Sequence, residues 1–407
     1  MRTTADFALT AYQKLLIAAL ACLLFTIVLD FMLLSALSAI LLPDLRLSTR
    51  QFGWVASAYA FSAGVSALVA SGYADRFDRR RFLLFFYGGF LLGVLLCALA
   101  RSFELLLIAR IVTGIFGGVV ASICYAIITD LFAGHQRGRV MGFLQMAFAA
   151  GQVGGLPMAL FIATQYGWPA AYWFILGLGS LAGGFIAWKL APVTGHLQQA
   201  PPPHPWRPLL TNLADGRYRT VFLNNALLVT GDVLLMTFSA AFITNNLGRP
   251  EEDLALIYGA IGATTLLCGP LLGRLADQVG KWTIFLAGTI PAMALVTWFT
   301  HLPPTPLLGI ILLQIGLFIG VNARMITSQA LGMAIPRAAD RGAFMSVDAA
   351  LQQVSAGLAA VLAGWLVTQG DDGRMLHFPR LGWVVVCCMG ATIVLMRRME
   401  WIRREGR

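Results

Sequence analysis

The chain alternates between long apolar runs and short polar turns. About twelve of these runs approach or exceed the roughly 20 apolar residues that a helix needs to cross the hydrocarbon of a bilayer. The pattern predicts membrane helices near residues 14–42, 51–74, 82–100, 103–131, 139–164, 170–191, 218–246, 254–276, 282–301, 306–334, 342–368 and 380–396. We therefore expect an all-α membrane protein with twelve transmembrane helices.

The longest hydrophilic interruption divides these runs into two groups of six. It lies near residues 192–217 and contains Gln198-Gln-Ala-Pro-Pro-Pro-His-Pro205, whose prolines disfavour a helix and favour an extended linker. We expect a six-helix bundle over residues 1–191, a linker over 192–217 and a second six-helix bundle over 218–407.

Two pairs of aspartates indicate that the halves repeat one another. Asp30 and Asp75 recur as Asp232 and Asp277, each 202 residues later (30 to 232 and 75 to 277). Repetition inside apolar segments is typical of transporters, in which two related bundles rock about a site at their interface. The two six-helix bundles are therefore expected to be pseudo-symmetric.

Composition and charge support a membrane location. Hydrophobic residues make up 58% of the chain and charged residues 12%, whereas a soluble domain is about half apolar and a quarter charged. The net charge of +10 does not indicate nucleic-acid binding, because most basic residues lie in alternate short loops. The positive-inside rule makes that side cytoplasmic and places both termini there.

Enzymatic chemistry finds little support in the sequence. The five histidines fall in loops or at helix ends without the spacing of a metal site, and the six cysteines fall within predicted helices. Gly280-Lys281 is followed by Trp282, so a phosphate-binding loop of the ATPase type is absent. We expect neither an enzyme nor a protein that requires a cofactor, a metal or direct ATP hydrolysis.

One loop carries a family resemblance. Gly273-Arg-Leu-Ala-Asp277-Gln-Val-Gly280-Lys281 resembles the signature Gly-x-Leu-Ala-Asp-x-x-Gly-(Arg/Lys) of the major facilitator superfamily. The first half carries a departing copy over residues 71–80, in which Ser71 and Asp78 replace the two glycines. The resemblance implies a monomeric transporter of a small-molecule substrate that works by alternating access in a lipid bilayer.

The resemblance also implies that these loops act as a latch. Asp75 would face the start of the eleventh helix, where unpaired N–H groups favour a carboxylate, and Arg79 would pair with Asp130. The alternative is a solvated basic turn that only fixes topology. The candidate gating residues are Asp75, Arg76, Arg79, Asp130, Gly273, Asp277, Gly280 and Lys281.

Asp30 and Arg110 are candidates for proton coupling. Asp30 lies near the middle of the first span, where a charge costs on the order of 3 kcal/mol. Arg110 lies in Arg110-Ile-Val-Thr-Gly114, which resembles the fourth-helix arginine motif of proton-coupled family members. Protonation of Asp30 would loosen the pair, whereas the alternative is a static buried salt bridge.

Asp232, the third candidate for proton coupling, has no cation at the positions that match Arg110, which are Leu312 and Gln314. Arg324, deeper along the tenth span, is a candidate compensator. Asp232 is then a second proton site, a contact for a polar or cationic substrate, or a carboxyl bonded within its helix. Asp348, two turns into the eleventh span, is expected to cap its helix or to lie at the membrane interface.

The fifth span contains a partial export signature. Gly142, Gly151, Gly155 and Pro157 resemble the antiporter pattern Gly-x8-Gly-x3-Gly-Pro, with Leu156 displacing the proline by one residue. Such a helix would pack closely on a neighbour and bend at the proline. The resemblance favours antiport, and therefore export.

Aromatic, amide and thioether residues in the central spans predict the wall of a substrate cavity, although packing is the alternative for each of them. The candidates are Tyr59, Tyr125, Gln145, Met146, Asn225, Phe238, Gln314, Asn322, Arg324 and Gln352. The mixture suits amphiphilic or polyhydroxylated solutes. The first half contains Asp30-Phe-Met and Gln51-Phe-Gly-Trp-Val-Ala-Ser-Ala-Tyr-Ala-Phe-Ser-Ala-Gly64. In these segments it also resembles the bacterial sugar-efflux (arabinose-efflux-type) permeases of the drug/proton antiporter group.

These observations together lead us to expect a proton-driven exporter in the bacterial inner membrane. Two alternatives remain open at this point. Asp30 would equally serve proton-coupled uptake, and a transporter-like sensor or lipid transporter would keep the repeat without ion coupling.

Overall fold

The computed structural model describes residues 10–132, 134–198, 207–337 and 340–405. The first half contains α1 (Ala11–Ala36), α2 (Ser38–Asp44), α3 (Thr49–Ser71), α4 (Arg79–Leu99), α5 (Phe103–Leu131), α6 (Gly134–Ala150), α7 (Leu156–Tyr166) and α8 (Trp168–Lys189). It also contains 3₁₀ turns at Ala74–Arg76 and Gly195–Gln198 and a π-helical turn at Gly151–Gly155.

The second half is helical apart from one short hairpin. It contains α9 (Arg207–Ala214), α10 (Gly216–Thr237), α11 (Ser239–Asn245), α12 (Glu252–Val279), α13 (Lys281–Thr300), α14 (Leu307–Gly332), α15 (Arg341–Leu366) and α16 (Phe378–Glu405). The hairpin pairs β1 (Thr368–Gln369) antiparallel with β2 (Met375–Leu376). The break between α1 and α2 at Leu37 recurs between α10 and α11 at Phe238, as a repeated bundle requires.

Eleven helices in the described ranges are long and apolar enough to cross a membrane. One expected span remains, the fifth in chain order, over residues 139–164. It coincides with α6, the π-turn and α7, which follow one another without a gap. Pro157 lies in the first turn of α7. Because proline has no N–H to donate, the α-helical ladder is interrupted there, and the π-turn absorbs the change. The expected twelve-span, all-α fold is confirmed.

Polar residues define where several helices begin. Ser48 precedes α3 and accepts a hydrogen bond from Gln51 N at 3.2 Å, while Gln51 Oε1 accepts from Ser48 N at 2.9 Å. Thr10 and Gln13 form the same reciprocal cap at the start of α1. Each cap satisfies N–H groups that a helix start leaves without partners.

The segment between the halves is partly helical. We expected a linker over residues 192–217, and within it α9 occupies Arg207–Ala214 and α10 begins at Gly216. Asn212 in α9 donates to the Asp340 carbonyl at the start of α15 at 3.3 Å. Residues 199–206, which hold the proline cluster, lie outside the described residues.

The two bundles join at one end of the molecule. We call the end that carries residues 10 and 405 the terminal face, and the other end the opposite face. At the opposite face, Thr49 Oγ1 donates to the Val367 carbonyl at 2.7 Å, and Ala241 N donates to Ser38 Oγ at 3.2 Å. Close packing between α3 and α15 continues from here past the centre, because a Cβ on Gly64 would lie 3.3 Å from the Ala350 carbonyl oxygen.

Toward the terminal face the bundles separate. On the opposite-face side of the centre, a Cβ on Gly262 of α12 would collide with the backbone at Val153 of the π-turn, so these helices touch. Nearer the terminal face, a Cβ on Gly142, Gly269 or Gly273 would meet no atom of the described chain within 4 Å. The cleft between α6 and α12 is therefore open to the terminal face.

Candidate functional site

The structure brings Asp30 and Arg110 together between α1 and α5. Arg110 Nη1 donates a hydrogen bond to Asp30 Oδ2 at 2.8 Å. The exposed fraction of the side chain is 1% for Arg110 and 0% for Asp30. Within the described residues, Asp30 Oδ1 and Arg110 Nε have no hydrogen-bond partner. One charged hydrogen bond therefore holds a fully buried ion pair, whose energy depends strongly on the charge of either member.

A close approach of α5 to α3 completes this site. A Cβ on Gly114, one turn beyond Arg110, would collide with the Ser62 hydroxyl and the Tyr59 backbone. The glycine thus allows α3 to place the Tyr59 ring 4.7 Å from the Arg110 guanidinium carbon. The ring face attracts the cation. Phe31 packs on Tyr59 with ring centroids 5.5 Å apart.

Asp232 and Arg324 form the corresponding pair of the second half, but the two groups are not hydrogen-bonded. Arg324 Nη1 lies 3.7 Å from Asp232 Oδ1, and the exposed side-chain fractions are 0% and 15% respectively. None of the three guanidinium nitrogens of Arg324 has a hydrogen-bond partner in the described residues. The candidate compensator found in the sequence thus lies beside Asp232, and its donors remain unused.

Gln314, which occupies the position that matches Arg110, lines a small internal cavity. The cavity is also lined by Met236, Ser239 and Tyr258, so it lies between α10, α11, α12 and α14 and begins about one turn beyond Asp232. Gln314 is 3% exposed, and its Oε1 has no partner in the part of the chain that the structure describes. Gln314 therefore faces this cavity inside the second bundle.

Asp348 does not cap its helix, which was one of the two roles expected for it, because the N-cap of α15 is Asp340. Its Oδ1 accepts from Asn225 Nδ2 at 3.0 Å, and its Oδ2 accepts from Gln352 Nε2 at 2.8 Å. Asn225 Oδ1 in turn accepts from Ser328 Oγ at 2.9 Å, and Ser328 Oγ accepts from Asn224 Nδ2 at 2.7 Å. The carboxylate is thus the end of a polar chain that joins α15, α10 and α14, because a buried carboxylate requires donors.

The first-half loop is fastened to the end of α5. Arg79 Nε lies 3.1 Å from Asp130 Oδ2, the contact that the family resemblance implies, and Arg79 Nη1 donates to the Ala74 carbonyl at 2.9 Å. Arg76 is exposed and lies over the Tyr73 ring, with its guanidinium carbon 5.4 Å from the ring centroid. The side chain of Asp75 lies outside the described residues.

The two copies of the loop begin the following helix by different means. Asp78 Oδ1 caps α4 by accepting from Arg80 N at 3.1 Å, and it also accepts from Val193 N at 2.8 Å. Gly280, its counterpart in the repeat, has φ of +107° and ends α12 just before α13 begins. A side-chain cap in one half and a glycine in the other explain why Asp78 departs from the family pattern.

The rest of the second copy is helical rather than a loop. Gly273 and Asp277 lie within the last turns of α12, and Asp277 is exposed. The intervening Arg-Leu-Ala residues favour a helix, so α12 continues until the glycine at 280. Lys281 Nζ donates to the Ala330 carbonyl near the end of α14 at 3.3 Å, which satisfies a carbonyl that the helix end leaves open.

The residues of the export-like signature are placed in two different ways. A Cβ on Gly155 would lie within 2.7 Å of the Phe25 ring of α1, so this glycine allows close packing. Gly151 is buried near Val28, and Pro157 lies near Gly259 of α12, with its Cγ 3.6 Å from a Cβ built there. Gly142 faces open space.

The remaining cavity candidates occupy different environments. Met146 is 59% exposed, and Tyr125 is half-buried. Asn322 Nδ2 donates to the Phe318 carbonyl at 2.7 Å and to Thr265 Oγ1 at 3.2 Å, which joins α14 to α12. The side chain of Gln145 lies outside the described residues.

Phe238 does not line a cavity as expected. It is fully buried, and its ring centroid lies 5.5 Å from that of Phe52 in the other half. The break between α10 and α11 turns this side chain toward the other bundle. Phe238 therefore belongs to the contact that closes the opposite face.

Sequence reasoning overlooked Ser328 and Phe31. Ser328 lies one turn after Arg324 on α14, so the i to i+4 spacing was an available signal for a shared polar face. Phe31 follows Asp30 directly and is indistinguishable in sequence from a lipid-facing aromatic residue.

Two helical bundles around a mid-membrane pair of ion pairs define a secondary transporter of the two-bundle class. Residues 19–360 match the family model of the Major Facilitator Superfamily. The chain belongs to that superfamily.

Named relatives and a solved structure agree with this assignment. The chain is 26% identical over 297 residues to the uncharacterized MFS-type transporter YceJ of Bacillus subtilis, covering 73% of this chain and 74% of that one. It is 24% identical over 289 residues to a chloramphenicol resistance protein of Streptomyces lividans, covering 70% and 72%. The nucleoside transporter NupG has a similar fold, with a TM-score of 0.77, 12% identity and coverage of 94% and 99%.

Proposed function

We propose that this protein is a proton-coupled exporter of a small amphiphilic or polyhydroxylated solute. The observation that carries the proposal is the Asp30–Arg110 pair, which is fully buried and held by one 2.8 Å hydrogen bond. When a proton neutralises Asp30, the Arg110 charge loses its partner in a low-dielectric interior. Breaking such a pair costs on the order of 3 to 5 kcal/mol, which is enough to favour a different arrangement of the helices.

The transport cycle follows from the two faces of the molecule. The positive-inside rule makes the terminal face cytoplasmic, in a bacterial inner membrane, with both termini inside. The present conformation, whose cleft opens to the terminal face, would then take up solute from the cytoplasm. Protons would reach Asp30 from the opposite face when the bundles over residues 1–191 and 218–407 rock about the linker at 192–217.

Export is favoured over uptake by two observations. The glycines and the proline of α6 and α7 partly match an antiporter signature, and one relative is named for chloramphenicol resistance. The protein would act as a monomer, and its partners would be the solute, protons and lipid.

Reconstitution into liposomes tests this proposal. With an imposed pH gradient, wild-type protein should move chloramphenicol against its concentration gradient in exchange for protons. Asp30→Asn should lose this gradient-driven flux but retain downhill exchange, because a neutral amide cannot carry a proton. Asp372→Asn, in an exposed surface pair at 61% exposure, is the matched control and should behave as wild type.

The direction of flux distinguishes the alternatives. Co-transport of solute with protons would identify an uptake symporter. Equal flux with and without the pH gradient, in wild type and in Asp30→Asn alike, would contradict proton coupling altogether.

A further inference from the structure

Arg324 is a buried cation that forms no side-chain hydrogen bond within the part of the chain that the structure describes. It is 0% exposed, and within the described residues its Nε, Nη1 and Nη2 lack partners. A guanidinium presents five N–H donors, and leaving them unsatisfied in the interior is costly. Its charge is balanced by Asp232, but at 3.7 Å the two groups are too far apart for a hydrogen bond. The donors of Arg324 therefore remain available to a ligand.

The matching pair of the first half has a different geometry. Asp30 is fully buried and accepts a 2.8 Å hydrogen bond from Arg110, whereas Asp232 keeps 15% of its side-chain surface exposed. The first pair is hydrogen-bonded and fully buried, so a proton can bind its carboxylate but a solute has no exposed surface to contact. The second pair is loose and accessible on its carboxylate side.

Unused acceptors lie on the same helix interface as these unused donors. Asn224 Oδ1 is buried without a partner among the described atoms, while its Nδ2 donates to Ser328, one turn from Arg324 on α14. The carboxylate of Asp232 contributes further acceptor positions. The α10–α14 interface thus offers both donors and acceptors to a molecule that enters it.

Charge balance selects the class of ligand. Asp232 and Arg324 sum to zero, so an ionic ligand would leave a net charge at the pair, which costs more in a membrane interior than a dipolar group does. The nearest further acid on the polar chain, Asp348, is already bonded by Asn225 and Gln352. A neutral group with a donor beside an acceptor satisfies both members without changing the charge.

We propose that Asp232 and Arg324 bind the polar end of a neutral solute, with a hydroxyl or amide N–H donating to Asp232 and a carbonyl or hydroxyl oxygen accepting from Arg324. The inference rests on the proposed transport function and assigns its substrate class. The two halves then have different functions, because the Asp30–Arg110 pair binds the proton and the Asp232–Arg324 pair binds the solute.

Equilibrium binding to purified protein, without any gradient, tests this assignment. The probes are chloramphenicol, which is neutral and carries hydroxyl and amide groups, the cation tetraphenylphosphonium and the anion gallate. Wild type should bind chloramphenicol most tightly. Asp232→Asn and Arg324→Gln should each weaken that binding about tenfold or more, since hydrogen bonds to charged groups are lost. Asp253→Asn, in the Arg249–Asp253 pair at the opposite-face start of α12, is the matched control.

A double variant distinguishes binding from a structural ion pair. If the pair only stabilises the fold, Asp232→Asn with Arg324→Gln should restore the thermal stability and the binding that each single change removes. If the pair binds solute, the double variant should remain at least as weak a binder as either single variant.

Three results would overturn the assignment. These are tighter binding of either ion than of chloramphenicol, absence of chloramphenicol binding by wild type, and an Asp232→Asn variant that binds normally but loses flux driven by the pH gradient. The last result would make Asp232 a proton site. Because the assay needs no gradient, failure of proton coupling at Asp30 leaves its outcome unaffected.

Discussion

Asp30 shows how a single buried charge constrains its surroundings. A carboxylate at the centre of a membrane requires a proton or a cation, and Arg110 supplies the cation from α5 at 2.8 Å. The Tyr59 ring then contacts the guanidinium. The Tyr59 contact depends on Gly114, because only a close approach of α5 to α3 brings the ring to the guanidinium.

Gly114→Val should disturb this site without changing any charged group. The added side chain would collide with Ser62 and the Tyr59 backbone, so α5 should move away from α3 and Tyr59 away from Arg110. Overpacking of this kind costs about 1 to 3 kcal/mol. We expect a lower melting temperature and a reduced flux driven by the pH gradient. Gly88→Val is the control, because a Cβ there meets nothing within 4 Å in the described chain, and an equal loss in both variants would contradict the packing argument.

At the scale of helices, the sequence departs from the repeat or from the family pattern where a local interaction differs. Asp78 begins α4 with a side-chain cap, whereas Gly280 separates α12 from α13 with a positive φ. Leu156 delays the proline of the fifth span, and a π-turn at Gly151–Gly155 takes up the irregularity. Both departures from the family pattern therefore have a local structural counterpart.

Arg79→Gln should loosen the loop between α3 and α4 from the end of α5. Arg79 loses its charged contact with Asp130 and its bond to the Ala74 carbonyl. Because Arg79 is 7% exposed and Asp130 is 22% exposed, we expect a destabilisation of roughly 1 to 3 kcal/mol. Thermal unfolding in detergent measures it. Arg81→Gln, at an exposed position of the same helix, should leave the melting temperature within about 1 °C of wild type.

At the scale of the molecule, the contact between α12 and the fifth span predicts which residues would meet if the bundles rocked as proposed and closed the terminal face. Gly262 meets Val153 where the helices already touch. Gly142 lies eleven residues before Val153, and Gly273 lies eleven residues after Gly262, which is about three turns along each antiparallel helix. Closing the terminal face along this register brings Gly142 against Gly273 and Met146 against Gly269. Glycine at three of these four positions suits a close approach.

Paired cysteines test this register in a variant that lacks the six native cysteines. Gly142→Cys with Gly273→Cys should cross-link only when the terminal face closes, and the yield should rise under an imposed pH gradient. Gly259→Cys with Pro157→Cys is the control pair, and it should respond in the opposite direction. The Cβ atoms there are 3.9 Å apart, within the range for a disulfide, so cross-linking should dominate in the present conformation. A rise or a fall of both pairs together would contradict the rocking model.

The fold was predictable from sequence because the lengths of the apolar runs and the polar turns between them indicate directly where the chain crosses the membrane. Both ends of the Asp30–Arg110 contact were also identifiable, since intramembrane charges are few. The partner of Asp232 was only partly identifiable from the sequence. Gln314 occupies the position that matches Arg110 in the repeat. Arg324 lies further along α14, and its side chain extends back to Asp232 because helical side chains point toward the N-terminus of their helix.

The sequence by itself determined the number of spans, their division into halves and the mid-membrane charges, because these depend on local hydrophobicity and on repeated spacing. The tertiary structure alone decided three things. Phe238 packs in the contact that closes the opposite face, Asp348 ends a polar chain, and the Arg324 donors have no hydrogen-bond partner among the described residues. These depend on distances between helices far apart in the chain, which packing fixes to within an ångström and which periodicity along one helix does not encode.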